Sequence, residues 1–455
     1  MIRSSLSRRR FVHGLATVAG AAFAGPYVLR AAEAGKDKIR FAHVGTGGRA
    51  AAHHDLSKDN GVCVCYTDAD KARYGAMEKI APKARAYTDY RKMFDAHLKE
   101  IDAVIVAVPD HHHFLPSMIT VTNGKHCYTE KPLCWSVMEC RKLAEATAAR
   151  KVATQMGNMG HAKEGNRLIV EWVRAGLLGD IKEVHTWTDR PFWPQGIERP
   201  ATRPVPATLD WESWIGPAPW REYHENLHPF NWRGWFDFGC GDIGDMACHT
   251  WENVFWSMDP DYPESVELVR IEGQARETFP KKNIIKWVFP AKGKRPGFIA
   301  TWFSGRLKPD VPEEMLNDPT YTDGGKKTPE LPSSGNLYIG TKGKLLVTGD
   351  YGDSPRLIPE SFHRETRKPE KTIPRSPGHK EEWLMAIRGE KPWDFPGSNF
   401  ATYAGMLTEV QLLGSLAIRL GRVGLKIECD PVGRTVKTPQ AQALLWREPR
   451  PGWSI

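Results

Sequence analysis

The sequence predicts an α/β protein: a doubly wound parallel sheet, followed by an α+β domain on a large, open, mostly antiparallel sheet. Three observations carry this. Short apolar runs alternate with helix-like stretches from Lys38 to Arg150, and a glycine-rich turn follows the first run. After about Gly157 the runs lengthen and alternate apolar with polar residues, as in a sheet with two different faces. At 455 residues the chain is long for one domain and comfortable for two. The divisions fall at 1–34, 35–157 and 158–455, with the C-terminal segment expected to pack back on the first sheet.

Each element follows from its local pattern. Ile39–Val44 is a short apolar run, followed by Gly45-Thr46-Gly47-Gly48-Arg49-Ala50 and a helix-like stretch. Val62–Tyr66 is a second run, closed by Asp68-Ala69-Asp70. Ala103–Val108 is a third, ended by Pro109. Leu115–Asn123 reads as a helix stopped by Gly124, His126–Thr129 as a strand, and Ser136–Arg150 as a helix with Leu143 and Ala144 inward. Lys163–Ala175 is helix-like and ends at Gly176. Beyond it Ile181–Thr188, Val266–Glu272, Ile284–Phe289, Phe298–Phe303 and Leu337–Thr348 read as strands. The Pro-, Gly- and charge-rich Lys308–Ser334 reads as a long surface loop, and Lys380–Leu420 as helical again.

Composition narrows the class. Hydrophobic residues at 41% and charged residues at 26% exclude wholesale disorder. No apolar run reaches the roughly eighteen residues of a membrane-spanning helix, which excludes a multi-span helical protein. The net charge of +9 includes +4 from the first 34 residues, and the remaining +5 is spread without a basic stripe. Nucleic acid is therefore not an expected partner. Seventeen tryptophans are unusual, and nine fall between Trp187 and Trp256. They suit a large aromatic core, and equally a pocket for the apolar faces of a sugar.

The first 34 residues read as an export signal. Ser7-Arg8-Arg9-Arg10-Phe11 precedes a weakly apolar stretch from Gly14 to Leu29 and then Ala32-Glu33-Ala34. The paired arginines resemble the twin-arginine pattern; an ordinary secretory signal and a basic tail are the alternatives. Export through that machinery delivers a folded, cofactor-loaded protein to the periplasm. No nicotinamide pool exists there, so a bound cofactor is expected to be non-dissociable and returned to its starting redox state. The eight cysteines show neither a CxxC pair nor zinc-ligand spacing.

Three motifs carry chemistry. Gly45-x-Gly47-x-x-Ala50 follows a strand and opens a helix, with Asp68 eighteen residues beyond Ala50. Gly45 permits the tight turn, Gly47 lets backbone approach a pyrophosphate, Ala50 keeps helix and sheet close, and free N–H groups, Arg49 among their bearers, face the phosphates. Asp68 suits the adenosine ribose and disfavours a 2′-phosphate, which favours NAD over NADP. Glu130-Lys131-Pro132 follows a strand at the edge where such sheets bind ligands, and there Lys131 can steady a developing alkoxide. Asp245 and His249 lie four apart after a glycine-rich approach, on one helix face. His249 suits a general base, and Asp245 either orients the substrate or the imidazole, although such a pair also occurs as a structural ion pair. His111-His112-His113 does not suit a metal, because three neighbouring side chains converge poorly on one ion. His112 and Pro109 are expected near the cofactor, and no metal.

Together these residues resemble the glucose–fructose oxidoreductase/inositol dehydrogenase (Gfo/Idh/MocA) family. The likeness runs from Gly45-Thr46-Gly47 through Val108-Pro109-Asp110-His111-His112, Glu130-Lys131-Pro132, Asp245 and His249 to Arg447–Trp453. Gly157-Asn158-Met159-Gly160-His161, Trp211…Trp214 and Trp232-Arg233-Gly234-Trp235 resemble an exported bacterial branch. The resemblance implies a Rossmann domain, a second domain whose sheet face makes dimers or tetramers, and oxidation of a sugar or polyol hydroxyl with Lys131, Asp245 and His249 catalytic. It implies Glu130 and Lys131 at the cofactor, and Asn158, His161, Trp232 and Arg233 at the substrate. The third glycine of the family pattern is Ala50 here. Hydride transfer between a sugar and bound NAD is the leading reading; glycoside hydrolysis through transient 3-keto oxidation and elimination is the alternative, and a non-catalytic sugar-binding protein the third.

Overall fold

Two sheets organise residues 38–454, the part that this computed structural model describes; the export signal read at 1–34 lies outside the described residues. The first sheet contains β1 (Ile39–Val44), β2 (Gly61–Thr67), β3 (Arg85–Tyr87), β4 (Ala103–Val106), β5 (His126–Thr129) and β6 (Thr154–Met156). All pairs are parallel, in the order β3-β2-β1-β4-β5-β6. The strand order reverses between β1 and β4, so their C-terminal ends open a crevice for ligands. β4 is four consecutive residues with no exposure (Ala103 to Val106), as a strand covered on both faces requires.

Helices α1 (His54–Asp59), α2 (Gly75–Ile80), α3 (Tyr90–His97), α4 (Phe114–Thr122) and α5 (Val137–Arg150) cross between these strands. The α5 start is fixed by a reciprocal cap: the Ser136 hydroxyl accepts from the Glu139 amide, and the Glu139 carboxylate accepts from Ser136 N at 2.9 Å. The segment after the glycine turn opens as a 3-10 turn over Gly48–His53 before the short α1, rather than as one continuous helix.

After α6 (Glu164–Arg174), the second sheet is built from β7 (Ile181–Trp187), β8 (Ser265–Glu272), β9 (Lys282–Phe289), β10 (Phe298–Phe303), β11 (Gly335–Gly340), β12 (Lys344–Thr348), β13 (Asp353–Ile358), β14 (Lys426–Asp430) and β15 (Thr435–Val436). Its order is β13-β12-β11-β7-β10-β9-β8-β14-β15, and only the β7–β10 pair is parallel. On β9 the residues alternate, with Asn283, Ile285, Trp287 and Phe289 buried and Lys282, Ile284, Lys286 and Val288 on the other face.

The helices between these strands are α7 (Trp211–Ile215), α8 (Gly241–Thr250), α9 (Glu252–Met258), α10 (Glu313–Leu316), α11 (Pro319–Thr322), α12 (Glu360–Glu365), α13 (His379–Ile387) and α14 (Gly405–Leu420). α14 packs against both α5 and α8, so one apolar core runs from beneath the first sheet to the inner face of the second. α13 returns to the first sheet: Trp383 is fully buried with Phe41 and Tyr128 and donates its indole N–H to Ala153 O at 3.1 Å. The C-terminal segment returns as well, with Trp453 beneath the Arg91 guanidinium at 3.6 Å.

Three sequence expectations need correction. Leu337–Thr348 is two strands, because Thr341 to Gly343 form a tight turn closed by Gly340 N donating to Gly343 O at 3.0 Å. Lys308–Ser334 is not wholly surface loop: α10 and α11 lie in it, and Met315 and Leu331 are buried with Trp187, Leu337 and Ile358. Lys380–Leu420 is broken into α13 and α14, with Pro392 and Pro396 between them, where a helix cannot continue.

Several histidines are buried as neutral rings. Burial pushes His43 down to about 3, and His112 and His379 to about 4. Their folded values lie below the unfolded value near 6.5, so the unfolded chain takes up protons first as the pH falls. Their contribution is complete above pH about 6.5 and is lost progressively below it, by about 1.4 kcal/mol per pH unit for each ring. The denaturation midpoint is expected to fall steadily between pH 7 and 5; a flat profile would show that these rings are protonated in the fold.

Candidate active site

The cleft lies at the C-terminal ends of β1, β4 and β5 and is closed by α8 and by the segment between β7 and α8. Its volume is about 600 Å³, within the range of cofactor and small-molecule sites. Gly45, at the end of β1, has φ +95° and donates its N–H to Thr67 O at 2.7 Å. A Cβ there would meet Ala107 O at 2.3 Å, so only glycine makes this turn. Gly47, Gly48 and Arg49 line the cleft, whereas Ala50 lies behind them, fully buried, and packs instead of facing a ligand. Asp68 lines the same end; its Oδ2 accepts from Thr46 N at 3.0 Å and Gly47 N at 3.3 Å, which fixes the turn.

Glu130 and Lys131 follow β5. Glu130 is buried and accepts from Arg49 Nε at 3.0 Å, with His53 Nε2 at 2.6 Å. Burial alone would raise its carboxyl, but the His53 hydrogen bond and the surrounding charges hold it well below the usual range. Lys131 Nζ donates to Asp245 Oδ1 at 2.6 Å and to Asp245 O at 2.8 Å. Burial opposes both charges, yet each stabilises the other: Lys131 is raised, and Asp245 is lowered to about 2. Gly244 sits in the first turn of α8, where a Cβ would meet Cys240 Cβ of the same helix start at 2.2 Å.

His249 lies one turn beyond Asp245 on α8 and lines the cleft. Its Nδ1 is buried without a hydrogen-bond partner. Asp245 therefore does not orient the imidazole, one of the two roles open from sequence; its oxygens serve the Lys131 ammonium, a stronger electrostatic partner than a neutral ring. Burial and the Lys131 charge push His249 down to about 3, so the ring is neutral and able to accept a proton. Tyr351, on the turn between β12 and β13, packs edge-on against it with ring centroids 4.9 Å apart.

The other sequence candidates separate clearly. Pro109, His112, Trp232 and Arg233 line the cleft. His112 is held by Trp214 O at 2.8 Å and Tyr90 Oη at 3.2 Å, so both ring nitrogens already have partners. Asn158 and His161 do not reach the cleft. Both are buried on Glu252, with His161 Nδ1 2.5 Å from Oε1 and its ring stacked on Trp256 at 4.2 Å. A buried carboxylate needs partners, and these two supply them. Among the described residues no cluster of His, Cys, Asp or Glu is arranged to hold a metal ion.

Sequence reasoning missed Tyr351, Arg190, His228 and Phe230, which also line the cleft. They come from loops whose register only the fold reveals. The segment from Thr188 to Gly239 forms its own aromatic cluster of Trp211, Trp214, Trp232, Trp235 and Phe238. It clasps the loop after β2: Lys71 N donates to Thr208 O at 3.0 Å, Asp210 N to Ala69 O at 2.8 Å, and His228 Nε2 lies 2.9 Å from Asp70 Oδ2.

Comparison with known proteins agrees with this architecture. Residues 39–158 match the NAD-binding Rossmann fold of the Gfo/Idh/MocA oxidoreductase family, and residues 167–287 match a C-terminal alpha/beta domain of that family. An uncharacterised oxidoreductase of Streptococcus pneumoniae is 28% identical over 150 residues, 32% of this chain and 40% of that protein. An alpha-N-acetylgalactosaminidase of Shewanella oneidensis is 28% identical over 155 residues, 31% of this chain and 33% of that protein. The chain thus spans two fifths or less of these relatives. The WlbA dehydrogenase of Bordetella pertussis, solved with NADH and UDP-GlcNAcA, superposes with a TM-score of 0.57 at 18% identity, covering 86% of this chain and 99% of that one. An inositol dehydrogenase homologue of Azotobacter vinelandii, solved with NADH and myo-inositol, gives 0.53 at 18% identity, covering 86% and 98%. These likenesses show the shared fold.

The buried Lys131–Asp245 pair generates a stability test. Lys131→Met alone leaves Asp245 only the more distant Arg233 and is expected to cost about 3 kcal/mol in chemical denaturation, whereas the double change Lys131→Met with Asp245→Leu recovers most of it. A double loss equal to the sum of the Lys131→Met and Asp245→Leu losses would show that the pair is not coupled.

Proposed function

Because the chain belongs to the Gfo/Idh/MocA oxidoreductase family, carrying matches to its two domains over more than half its length, we propose that it moves a hydride between a sugar or polyol hydroxyl and a tightly held NAD. One observation carries this: an ammonium and a neutral imidazole line the same cleft as the Gly45 turn. The residues fit the dinucleotide. Gly45 makes a turn that only glycine can make, Gly47 and Gly48 line the cleft beside it, and Asp68 stands where a ribose is expected. When bound, the nicotinamide supplies the hydride acceptor.

The chain's own residues do the rest. His249, whose neutral ring lines the cleft, takes the hydroxyl proton. Lys131 stabilises the oxygen as charge develops, and Asp245 keeps the ammonium charged and aimed. Trp232 offers an apolar ring to a pyranose face. The clasp of residues 188–239 over the loop after β2 supports slow cofactor release, as export through the twin-arginine pathway to the periplasm would demand. The outer face of the second sheet, with Ile284, Val288 and Ile299, supports a homo-oligomer, dimer or tetramer.

A second reading has a specific observation in its favour. Several relatives are named as glycosyl hydrolase family 109 proteins or as an alpha-N-acetylgalactosaminidase, each 28% identical over about a third of this chain. Such chemistry would use the same residues for transient oxidation at C3, elimination, water addition and re-reduction.

Purified protein mixed with free sugars and p-nitrophenyl glycosides separates the two readings. Reduction of bound NAD that a second sugar reverses supports the oxidoreductase. Nitrophenol release without net NADH, dependent on bound cofactor, supports the hydrolase. His249→Ala and Lys131→Met are each expected to slow hydride transfer by roughly 10²–10⁴-fold while NAD stays bound. Survival of activity in His249→Ala would remove it as the base. Because His249 must be neutral and lies near 3 in the fold, the rate should show no inflection at pH 6.5 while NAD remains bound. His228→Ala, which removes the side-chain contact of the clasp, is expected to speed NAD release; an unchanged release rate would show that this contact does not retain it.

A further inference from the structure

The substrate half of the cleft holds a guanidinium with no carboxylate at hydrogen-bond distance among the described residues. Arg233, on the turn before α8, lines the cleft, and its guanidinium lies 4.3 Å from the Trp232 ring and 4.4 Å from the Phe230 ring. Its Nη1 donates to Phe230 O at 3.1 Å. Among the described residues its nearest carboxylate is Asp245, with Oδ1 3.6 Å from Nε, beyond a direct hydrogen bond. That oxygen already accepts from Lys131 at 2.6 Å. Two cations therefore share one anion.

The other carboxylates nearby are committed. Glu130 serves Arg49 and His53. Asp110 is buried and accepts from Cys240 N at 2.9 Å; it makes no hydrogen bond to Arg233. A second arginine on the cleft wall, Arg190, lies 4.0 Å from the exposed Phe192 ring, but its charge is matched by Asp189 at 2.5 Å and by Asp350 at 3.8 Å. Nor does the cofactor's pyrophosphate account for Arg233. The cations at the glycine turn are Arg49 and Arg73, the latter so close that a Cβ on Gly47 would meet its Nη1 at 2.3 Å. Arg233 stands instead beside Lys131 and Asp245, at the reacting end.

Two aromatic rings close by restrict where this guanidinium can move, and its planar N–H fork suits a carboxylate or sulfate through two parallel hydrogen bonds. We propose that the sugar unit oxidised at this site carries an anionic group, a carboxylate or a sulfate ester, that pairs with Arg233. This rests on the sugar-oxidising reading above. The anion would give Arg233 the hydrogen-bonded partner it lacks and fix which face of the ring meets Lys131 and His249.

The test uses the full, NAD-loaded protein with p-nitrophenyl glucoside, its glucuronide and its 6-sulfate, together with the corresponding galactosides. Reduction of bound cofactor or release of nitrophenol gives kcat/KM for each. The anionic members should exceed their neutral parents, and Arg233→Gln should shrink that ratio by roughly ten- to a hundredfold. Arg233→Lys, which keeps the charge but loses the fork, should recover only part of it. Glucuronide above sulfate identifies the carboxylate as the source, and the reverse order the sulfate. Equal or better turnover of neutral sugars, or a ratio that Arg233→Gln leaves unchanged, overturns the proposal while leaving sugar oxidation standing. If no member of the panel turns over, the reading under Proposed function fails for these sugars. Calorimetric binding of glucuronate then decides the present point: affinity lost in Arg233→Gln supports it, and equal affinity or no binding to either protein overturns it.

Discussion

The bond between Lys131 and Asp245 is the constraint on which the rest of the site depends. It joins the end of a parallel strand, β5, to a helix of the second domain, α8, and it does so inside the protein. Two buried charges persist there because each removes most of the other's desolvation penalty. Once the ammonium is fixed, Asp245 is no longer available to His249, and the imidazole is left neutral with a free nitrogen. One ion pair thus sets the position of the cation and the protonation state of the ring beside it.

That bond requires close packing. α14 packs on both α5 and α8 and holds them in one continuous core. Behind the site, Glu252 is buried with Asn158, His161 and Tyr403 as its partners, tying the end of the first sheet to the start of α9. This polar knot lies outside the cleft, yet it fixes the helices that carry the reacting groups. A residue can therefore belong to a motif of the functional region and act only through packing.

The aromatic segment between β7 and α8 adds a wall that the doubly wound sheet does not have by itself. Its own apolar cluster makes it rigid, and its backbone hydrogen bonds to the loop after β2 join the wall to the cofactor end. The same segment leads into the turn that carries Arg233 and the rings that flank it. The proposed grip on the cofactor and the proposed recognition of an anionic sugar thus come from one excursion of the chain.

Local pattern was enough to fix the strand–helix alternation, the glycine turn with Asp68, the Glu130-Lys131-Pro132 edge and the spacing of Asp245 and His249. Each depends on neighbours in sequence: a positive φ at Gly45, a period of two or 3.6, or a strand end that exposes the next residue. Pairing across long separations was not legible there. The hairpin in Leu337–Thr348, the capture of Asp245 by Lys131, the withdrawal of Asn158 and His161 onto Glu252, and the arrival of Tyr351 and Arg190 at the cleft are decided by tertiary contacts. The physical reason is that a buried charge or polar group takes whichever partner the packed fold brings within hydrogen-bonding distance, and sequence spacing does not encode that distance.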